Sequence, residues 1–506
     1  MSFVDLLRAP KRPTALSGQW PLDMPLVQFS PLAEDIWTLE DAFQGTVIFG
    51  STGSGKTSGS GQLLALKFLK AGFGGLVLCV DIEEANLWRS YLKAAGRLKD
   101  GLFFSIDSPL RFNFLDYEAA KSGVDFVENL VTLLCDAASV QRRSEATGSE
   151  AHFWLPQKQK LMRNAITLLS LAGAPVQLKN LYKVLIESAT SQLQADSEKW
   201  QTTSYVYDLL CRAEANSGKH SEFEPVKDYW LRERPALDPK TRSNIDADFT
   251  GMFDPLTRGK IGELFGTTTN IRPDDIMDGK IIVIDIPVDK YREIGQYAAL
   301  IWAQMFQRAV DRREYEAPHS RPVFLWEDEA HYFTIEHDAR FQTTARKKGI
   351  AVVRITQNLP NFLDAYGRDG QHKVNTLLGN HETKILHRNG DPTTNEWASK
   401  VIAKETQYKH SMSSSGSLQS NSGFNSQTSV SEVEEESCSP KEFIGLKNGG
   451  WRNMREVEAI VFQSGRLWRK NQRWTVCRFK QNRLSLTSSK KVRSKRRFRI
   501  SQSPRL

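Results

Sequence analysis

Cysteine is scarce in this sequence, and the spacing of metal ligands is missing from it. The 506 residues include five cysteines, an odd and scattered set at positions 79, 135, 211, 438 and 477. Neither these cysteines nor the nine histidines show the spacing of a zinc or nuclease-type metal site. The composition therefore argues against a disulfide framework or a zinc fold, and it indicates a reducing compartment.

Long apolar runs are also missing. The chain contains no stretch of 18 apolar residues, and it does not begin with a basic segment followed by an apolar one. Such a sequence predicts neither a membrane span nor a signal peptide. We expect a cytoplasmic protein, either free or held at the inner face of the cytoplasmic membrane by a partner.

Acidic residues are absent after Glu458, whereas Lys and Arg occur there 15 times. The first 458 residues carry 53 basic and 59 acidic residues, so the net charge of +9 belongs to the C-terminus. We interpret residues 488–506 as a disordered basic tail that is attracted to nucleic acid. Anionic lipid and an acidic protein are the alternative partners for it.

The most informative stretch present is rich in glycine. It follows an apolar run at 46–49 that predicts a buried strand, and it precedes apolar spacing at 61–69 that predicts a helix. A strand, a glycine-rich turn and a helix are the setting of a phosphate-binding P-loop. The predicted nucleotide-binding residues are Gly50, Ser51, Thr52, Gly53, Ser54, Gly55, Lys56, Thr57 and Ser58.

The chemistry of this loop follows from its residue types. Its glycines let the backbone curl so that N–H groups point at an anion, and the positive end of the following helix dipole adds to the attraction. The Lys56 ammonium can reach the β- and γ-phosphates, and the Thr57 hydroxyl can bind Mg²⁺. The sequence therefore predicts that the chain binds ATP with Mg²⁺.

A second motif supplies carboxylates for hydrolysis. An apolar run at 323–326 predicts a buried strand that ends in Glu327, Asp328 and Glu329. We assign Asp328 to the metal and Glu329 to the attacking water, with Glu327 as the competitor for either role. The alternative is an acidic turn that only caps the next helix. Asp285 ends a rival strand, which we interpret as structural.

A third predicted strand, at 350–355, leads into Gln357. An amide at that position can contact the γ-phosphate or the attacking water and report hydrolysis to the next helix. Arg346 and Arg388 are the two candidates for an arginine that completes a neighbouring subunit's site. His331 follows the carboxylates, and we interpret it as a packing or capping residue rather than a ligand.

Buried strands separated by helical stretches predict an α/β fold with a parallel-sheet core. In the middle of the chain the apolar residues recur at helical spacing, which predicts an inserted all-α domain. A separate downstream domain is the alternative. The predicted divisions are a lead-in at 1–40, an ATPase domain at 41–120 and 251–410, the insertion at 121–250, a Ser/Asn/Gln-rich mobile loop at 411–440, a C-terminal part of the ATPase domain at 441–487, and the tail at 488–506.

Beyond these motifs, the sequence resembles the coupling-protein ATPases of bacterial conjugation and type IV secretion. These form the TraG/TraD type within the RecA-like group of DNA-pumping ATPases. The order and spacing of several segments carry the resemblance. They are the P-loop at 50–57, Ser108-Pro109-Leu110-Arg111-Phe112-Asn113, Phe153-Trp154, the strand with its flanks at 279–287, Asp328-Glu329, 346–350 leading into Thr356-Gln357, and 375–385.

This resemblance implies a RecA-like motor domain, an all-α domain, a hexameric ring and ATP-driven movement of DNA. It also implies partners such as a relaxase or other transfer-system proteins. Three features depart from the family pattern. The usual N-terminal membrane anchor is not evident, and Asp81-Ile82-Glu83 stands where Asp-Pro-Lys is usual. The residues after Glu329 also do not follow the usual Phe and Leu-Gly pattern. We therefore expect a soluble member of the group that lacks the anchor.

Three functions remain open at this stage. The first is an ATP-driven DNA translocase, or coupling protein, of a conjugative or type IV secretion system. The second is an ATPase that recruits or gates protein cargo without pumping DNA. The third is a DNA-processing motor that acts beside a partner nuclease, since the sequence itself shows no nuclease-like metal cluster.

Overall fold

The computed structural model describes residues 18–481, apart from 31, 33–34, 122–125, 140–148, 218–221, 336, 368–369, 416–424 and 469–470. The predicted tail at 488–506 and the start of the lead-in lie outside the described residues. All five cysteines are within them, and all are free thiols. In this part of the chain no helix is long and apolar enough to cross a membrane.

Nine strands of the described chain form one sheet in the order β13-β12-β9-β3-β8-β7-β4-β6-β5. These strands are β3 (Thr46–Phe49), β4 (Gly74–Leu78), β5 (Gly101–Ser105), β6 (Ile281–Asp285), β7 (Val323–Glu327), β8 (Ile350–Thr356), β9 (Thr383–His387), β12 (Glu456–Gln463) and β13 (Trp474–Lys480). The seven from β9 to β5 are parallel to one another. Strand β12 runs antiparallel to β9, and β13 antiparallel to β12.

The sheet order places the predicted motifs side by side. Strand β8 lies between β3, which leads into the P-loop, and β7, which leads into the carboxylates. The carboxyl ends of parallel strands share one edge of a sheet, and ligands bind at that edge in open α/β folds. The predicted P-loop, carboxylates and Gln357 therefore meet at one edge.

Two smaller ribbons flank the sheet. Strands β1 (Pro25–Gln28) and β2 (Ile36–Thr38) pair with each other in the lead-in. Strands β10 (Lys404–Ser415) and β11 (Asn425–Glu436) form a long antiparallel hairpin. Composition predicts a loop there, but strand pairing uses backbone hydrogen bonds and needs no apolar side chains. The mobility of this segment stays a prediction.

The α-helices of the described chain surround the sheet. In chain order they are α1 (Leu39–Phe43), α2 (Gln62–Lys70), α3 (Glu84–Ala94), α4 (Phe114–Lys121), α5 (Phe126–Ser139), α6 (Ser149–Leu171), α7 (Leu178–Ile186), α8 (Gln192–Ala195), α9 (Glu198–Thr203), α10 (Tyr205–Ser217), α11 (Phe223–Asp228), α12 (Pro239–Thr257), α13 (Gly259–Gly266), α14 (Val288–Tyr291), α15 (Glu293–Asp311), α16 (Asp338–Ala345), α17 (Leu359–Tyr366), α18 (Gly370–Gly379), α19 (Pro392–Ile402) and α20 (Pro440–Gly445).

The regular elements that the structure describes between β5 and β6 are all helical, and from α4 to α13 they extend somewhat beyond the predicted insertion. The two ends of this run are bonded to each other. The Phe112 N–H donates to the carbonyl of Leu264 at 2.8 Å, and the Asn270 N–H donates to the carbonyl of Arg111 at 3.0 Å. The chain thus leaves the sheet and returns to it at one place, as an insertion requires.

Helix α15 joins the insertion to the sheet. It contacts β4 and β6 on one side and α4 and α5 on the other, which explains why it is buried almost all round. The guanidinium of Arg312, directly after α15, lies 3.0 Å from the carboxylate of Glu118, which is fully buried on α4. This ion pair fixes the first helices of the insertion to the ATPase domain.

Alternate side chains of the strands enter separate cores. Leu76 and Leu78 of β4 pack into the core that includes the insertion, whereas Val77 packs into the core on the opposite face of the sheet. Val352 and Val353 of β8 divide in the same way. Full burial of each such side chain contributes about 1.5–3 kcal/mol to the stability of the fold. Packing on both faces therefore stabilises the sheet that carries the site.

Candidate nucleotide-binding and active site

The P-loop leaves β3 and turns back on itself in a conformation that requires glycine. Gly53 and Gly55 have φ of 72° and 89°, in the left-handed region that glycine adopts at little cost. Gly55 also lies directly under β12, since a Cβ there would come within 2.6 Å of the Val457 side chain. The C-terminal strands therefore press on the loop and help to hold its shape.

The helix after the loop begins with a π-helical turn at Thr57–Gly61 rather than with a regular α-turn. The Gly61 N–H donates to the carbonyl of Lys56 at 2.9 Å, which spans five residues. Single π-turns of this kind are frequent at functional sites. Here the wider turn lies where Lys56 and Thr57 leave the loop.

The P-loop lysine and a glutamine that follows β8 both donate hydrogen bonds to one carboxylate, which follows β7. The Lys56 ammonium donates to Oε1 of Glu329 at 3.0 Å, and the Gln357 amide donates to the same oxygen at 3.2 Å. The structure thus brings together three residues that the sequence assigned separately to phosphate binding, water activation and sensing. They arrive from the ends of β3, β7 and β8.

The predicted metal ligands are also adjacent. The Thr57 hydroxyl donates to Oδ2 of Asp328 at 3.0 Å, and Oδ1 of Asp328 accepts from the N–H of Glu329 at 3.0 Å. Burial raises the pKa of Asp328 to about 6, although Lys56 opposes the rise. One hydroxyl, one carboxylate and the phosphates of a nucleotide suit Mg²⁺, which usually binds through few protein ligands and keeps several waters.

Glu329 has an unusual backbone conformation for its residue type, with φ of 50° and ψ of 51°. Left-handed geometry in a residue other than glycine stores strain and often marks a functional position. Burial lowers the pKa of neighbouring His331, whose Nδ1 lies 3.7 Å from Oε2 of Glu329, and so favours the neutral imidazole. His331 lies beside the carboxylate, in a half-buried position.

Glu327, the predicted competitor of Glu329, lies elsewhere. Its carboxylate is buried and lies 2.9 Å from the guanidinium of Arg354 on β8, which is 3.1 Å from the carboxylate of Asp338. Burial raises the pKa of Glu327 to about 8, with Arg354 lowering it and Asp338 adding to the rise. This buried cluster ties β7 to β8 and leaves Glu329 as the carboxylate that faces Lys56.

Arg354→Met is expected to lower the free energy of unfolding by about 3–5 kcal/mol, because it leaves two buried carboxylates without their cation. Arg346→Ala is the matched control, and we expect it to change stability by less than about 0.5 kcal/mol, since its side chain is exposed. Thermal unfolding of both variants beside the wild type measures the difference. An Arg354→Met protein that melts at the wild-type temperature would contradict the assignment.

The two candidate arginines lie at opposite edges of the sheet. Arg346 precedes β8 at the amino edge and pairs with Glu40, away from the P-loop of its own chain. Arg388 follows β9 at the carboxyl edge, and its carbonyl accepts from the N–H of Ser51 at 3.1 Å. That either of them acts on a neighbouring subunit stays a prediction.

Sequence reasoning missed a polar residue beside Arg388. Asn389 accepts a hydrogen bond from the Ser51 hydroxyl at 3.0 Å and donates to the carbonyl of Gln357 at 3.0 Å. It thereby connects the P-loop to the end of the strand that carries the sensor. The signal was available, because Asn389 follows a predicted buried strand just as Gln357 does.

A cavity of about 720 Å³ opens in front of Lys56 and is lined by Asp328, Glu329 and Gln357. Its outer wall is formed by acidic residues of the segment after β4 and of α14, among them Asp81, Glu83, Glu84 and Asp289. The predicted phosphate, metal and water residues therefore share one cavity of the size that small-molecule sites have. A P-loop at the carboxyl edge of a mainly parallel sheet, facing carboxylates and an amide from two nearby strands, is the arrangement of a RecA-like P-loop fold.

Comparison with known proteins places this chain more narrowly. Residues 322–448 match the family model for the TraM recognition site of TraD and TraG. The fold is similar to that of the bacterial conjugative coupling protein TrwBdeltaN70 in its unbound form, with a TM-score of 0.59 and 16% identity, covering 95% of this chain and 92% of that one. No curated protein matches the sequence.

Two further structures of TrwB are similar over most of both chains. One is its complex with ADP and Mg²⁺, with a TM-score of 0.58 and 16% identity over 91% of each chain. The other is its complex with a non-hydrolysable ATP analogue, with a TM-score of 0.56 and 17% identity over 95% and 92%. These findings confirm the predicted RecA-like fold with its helical domain, and the resemblance to the coupling-protein ATPases.

Proposed function

We propose that this chain is an ATP-driven coupling protein that moves DNA for conjugative transfer or type IV secretion, and that it works as a hexameric ring. The observation that carries the proposal is the meeting of Lys56, Glu329 and Gln357 at one carboxylate oxygen. A binding module needs only the P-loop, whereas a motor also needs a group that activates water and a group that reports hydrolysis.

ATP and Mg²⁺ are the ligands that fit this site. With nucleotide bound, Lys56 would turn from Glu329 to the β- and γ-phosphates, and Thr57 and Asp328 would hold the cation, which would supply charge neutralisation. Glu329 then orients the attacking water and accepts its proton. The similar protein TrwB has been seen with ADP and Mg²⁺ and with a non-hydrolysable ATP analogue, which supports this choice.

Gln357 couples this chemistry to movement. Its side-chain amide donates a hydrogen bond to Glu329. Gln357 also directly precedes Asn358, the N-cap of α17, which begins at Leu359. Its carbonyl is held by Asn389, so a shift of Gln357 reaches β9 as well. Loss of the γ-phosphate can in this way be passed from the site to α17 and to the end of β9.

DNA is the proposed substrate because conjugative coupling proteins share this fold over nearly the whole chain, and because the C-terminus is basic. We expect single- or double-stranded DNA to raise the ATPase rate several-fold, and added salt to weaken the effect, since phosphate contacts release counterions. Steady-state hydrolysis with each DNA at two salt concentrations measures this. A rate that DNA leaves unchanged at low salt would contradict the DNA motor.

A protein-gated ATPase is the second candidate, and one observation favours it. The matched family model is described as a recognition site for the protein TraM. In that case the ATPase rate would rise with a transfer-system protein, such as a relaxase or accessory protein, and not with DNA.

A further inference from the structure

A second cavity, of about 670 Å³, adjoins the P-loop on the side away from the carboxylates. Its walls include Gly53, Gly55 and Ser58 of the loop, together with Trp451, Arg455 and Gln481 from the C-terminal part of the chain. We propose that this cavity binds the nucleoside half of the nucleotide, and that Trp451 provides the surface on which the base stacks. The proposal rests on the proposed function, since it deepens the same site.

The direction of a bound nucleotide follows from which residues line each cavity. Lys56 and Thr57 line both cavities, whereas Glu329 lines only the first and Ser58 only the second. The terminal phosphate must lie near the carboxylate that activates water. A triphosphate that extends along the loop from that point therefore places its α-phosphate, and the nucleoside beyond it, in the second cavity.

The C-terminal wall is fastened to the P-loop helix. The Gln481 amide donates to the Ser58 hydroxyl at 2.7 Å, and its oxygen accepts from the N–H of Gly450 at 2.8 Å. The backbone between these contacts is tightly turned, with positive φ at Gly450, Met454 and Arg455. This segment thus forms a wall of the cavity that hydrogen bonds hold in place. The Gln481 side chain links the helix after the P-loop to the turn at Gly450.

Trp451 is the large apolar side chain of that wall, and it is 82% exposed. An indole exposed to this extent is accessible to a ligand in the cavity. The guanidinium of Arg452 lies 5.5 Å from the ring centroid. A flat aromatic at the mouth of a cavity beside a phosphate loop matches the shape of a nucleobase, and base–aromatic stacking is a strong contact.

Stacking has a consequence for nucleotide choice. Every base has a π-face, so a site that holds the base mainly by stacking tolerates different bases. We therefore expect adenine and guanine nucleotides to bind with similar affinity and to depend on Trp451 to a similar degree. Inorganic tripolyphosphate has no base, so it should not depend on Trp451.

Calorimetric titration of the full chain with ADP, GDP and tripolyphosphate, each with Mg²⁺, tests this. Trp451→Ala is expected to raise the Kd of ADP and of GDP about tenfold, while the Kd of tripolyphosphate stays within about twofold of the wild-type value. Trp451→Phe keeps an aromatic face and should retain most of the affinity. Met454→Ala, an equally exposed change in the same turn, is the control and should bind all three like the wild type.

The outcomes separate this proposal from the function on which it rests. Unchanged binding of ADP and GDP by Trp451→Ala would overturn the proposal, while the P-loop site would stand if Lys56→Ala lost the same ligands. An equal loss of tripolyphosphate would also overturn it, because Trp451 would then act on the phosphates or the loop. A wild-type chain that binds neither nucleotide would overturn both.

Discussion

Lys56→Ala is expected to reduce kcat/KM for ATP by at least about 10²–10³-fold, the scale on which removal of one charge-stabilising donor acts. We propose that the Lys56 ammonium contacts the phosphates, and it belongs to no hydrophobic core of the described residues. The variant should therefore remain folded. Steady-state hydrolysis, together with direct titration of a non-hydrolysable ATP analogue, measures the loss.

Lys70→Ala is the control for this variant. Lys70 lies exposed in the last turn of α2, the helix that follows the P-loop, so the change removes the same charge at a distance from the site. Its kinetics should match those of the wild type. If Lys56→Ala hydrolyses ATP at nearly the wild-type rate, the P-loop assignment is wrong.

Glu329→Gln is expected to lower kcat by about 10²–10⁴-fold, the usual contribution of a positioned general base. The amide keeps the shape of the side chain but has neither its charge nor its basicity. Nucleotide affinity should stay or rise, because the change also frees Lys56 from the carboxylate that competes with phosphate. Measured kcat should therefore fall, while the Kd of a non-hydrolysable analogue should stay unchanged or fall as well.

Glu327→Gln is the variant to compare with Glu329→Gln, because the two carboxylates lie in different surroundings. Its carboxylate belongs to the buried cluster with Arg354, so the change should lower the melting temperature more than Glu329→Gln does. The assignment of the water-activating group would be refuted if Glu327→Gln lost hydrolysis but kept the wild-type stability, while Glu329→Gln stayed active.

The contrast between these two glutamates shows where sequence reasoning stopped. In an extended strand, residues two apart share a face, so Glu327 and Glu329 look equivalent in the sequence. The left-handed backbone at Glu329 breaks this alternation just after β7 ends. One carboxylate therefore enters the core and the other faces the P-loop, and only the folded backbone could separate them.

The sequence by itself determined the local chemistry of this protein. The P-loop, the carboxylates after β7 and the glutamine after β8 each depend on a few consecutive residues, so each was visible in the chain. Short apolar runs likewise marked the strands of the parallel core. The hairpin of β10 and β11 escaped notice because backbone pairing leaves no trace in composition.

Only the tertiary structure decided which groups meet. The position of β8 between β3 and β7, the buried Arg354 cluster, the bridge made by Asn389 and the wall that carries Trp451 all join segments far apart in the sequence. Such contacts are set by the order of strands in the sheet and by the packing of β12 against Gly55. No local pattern of residues encodes these long-range pairings on its own, because each depends on where the rest of the chain packs.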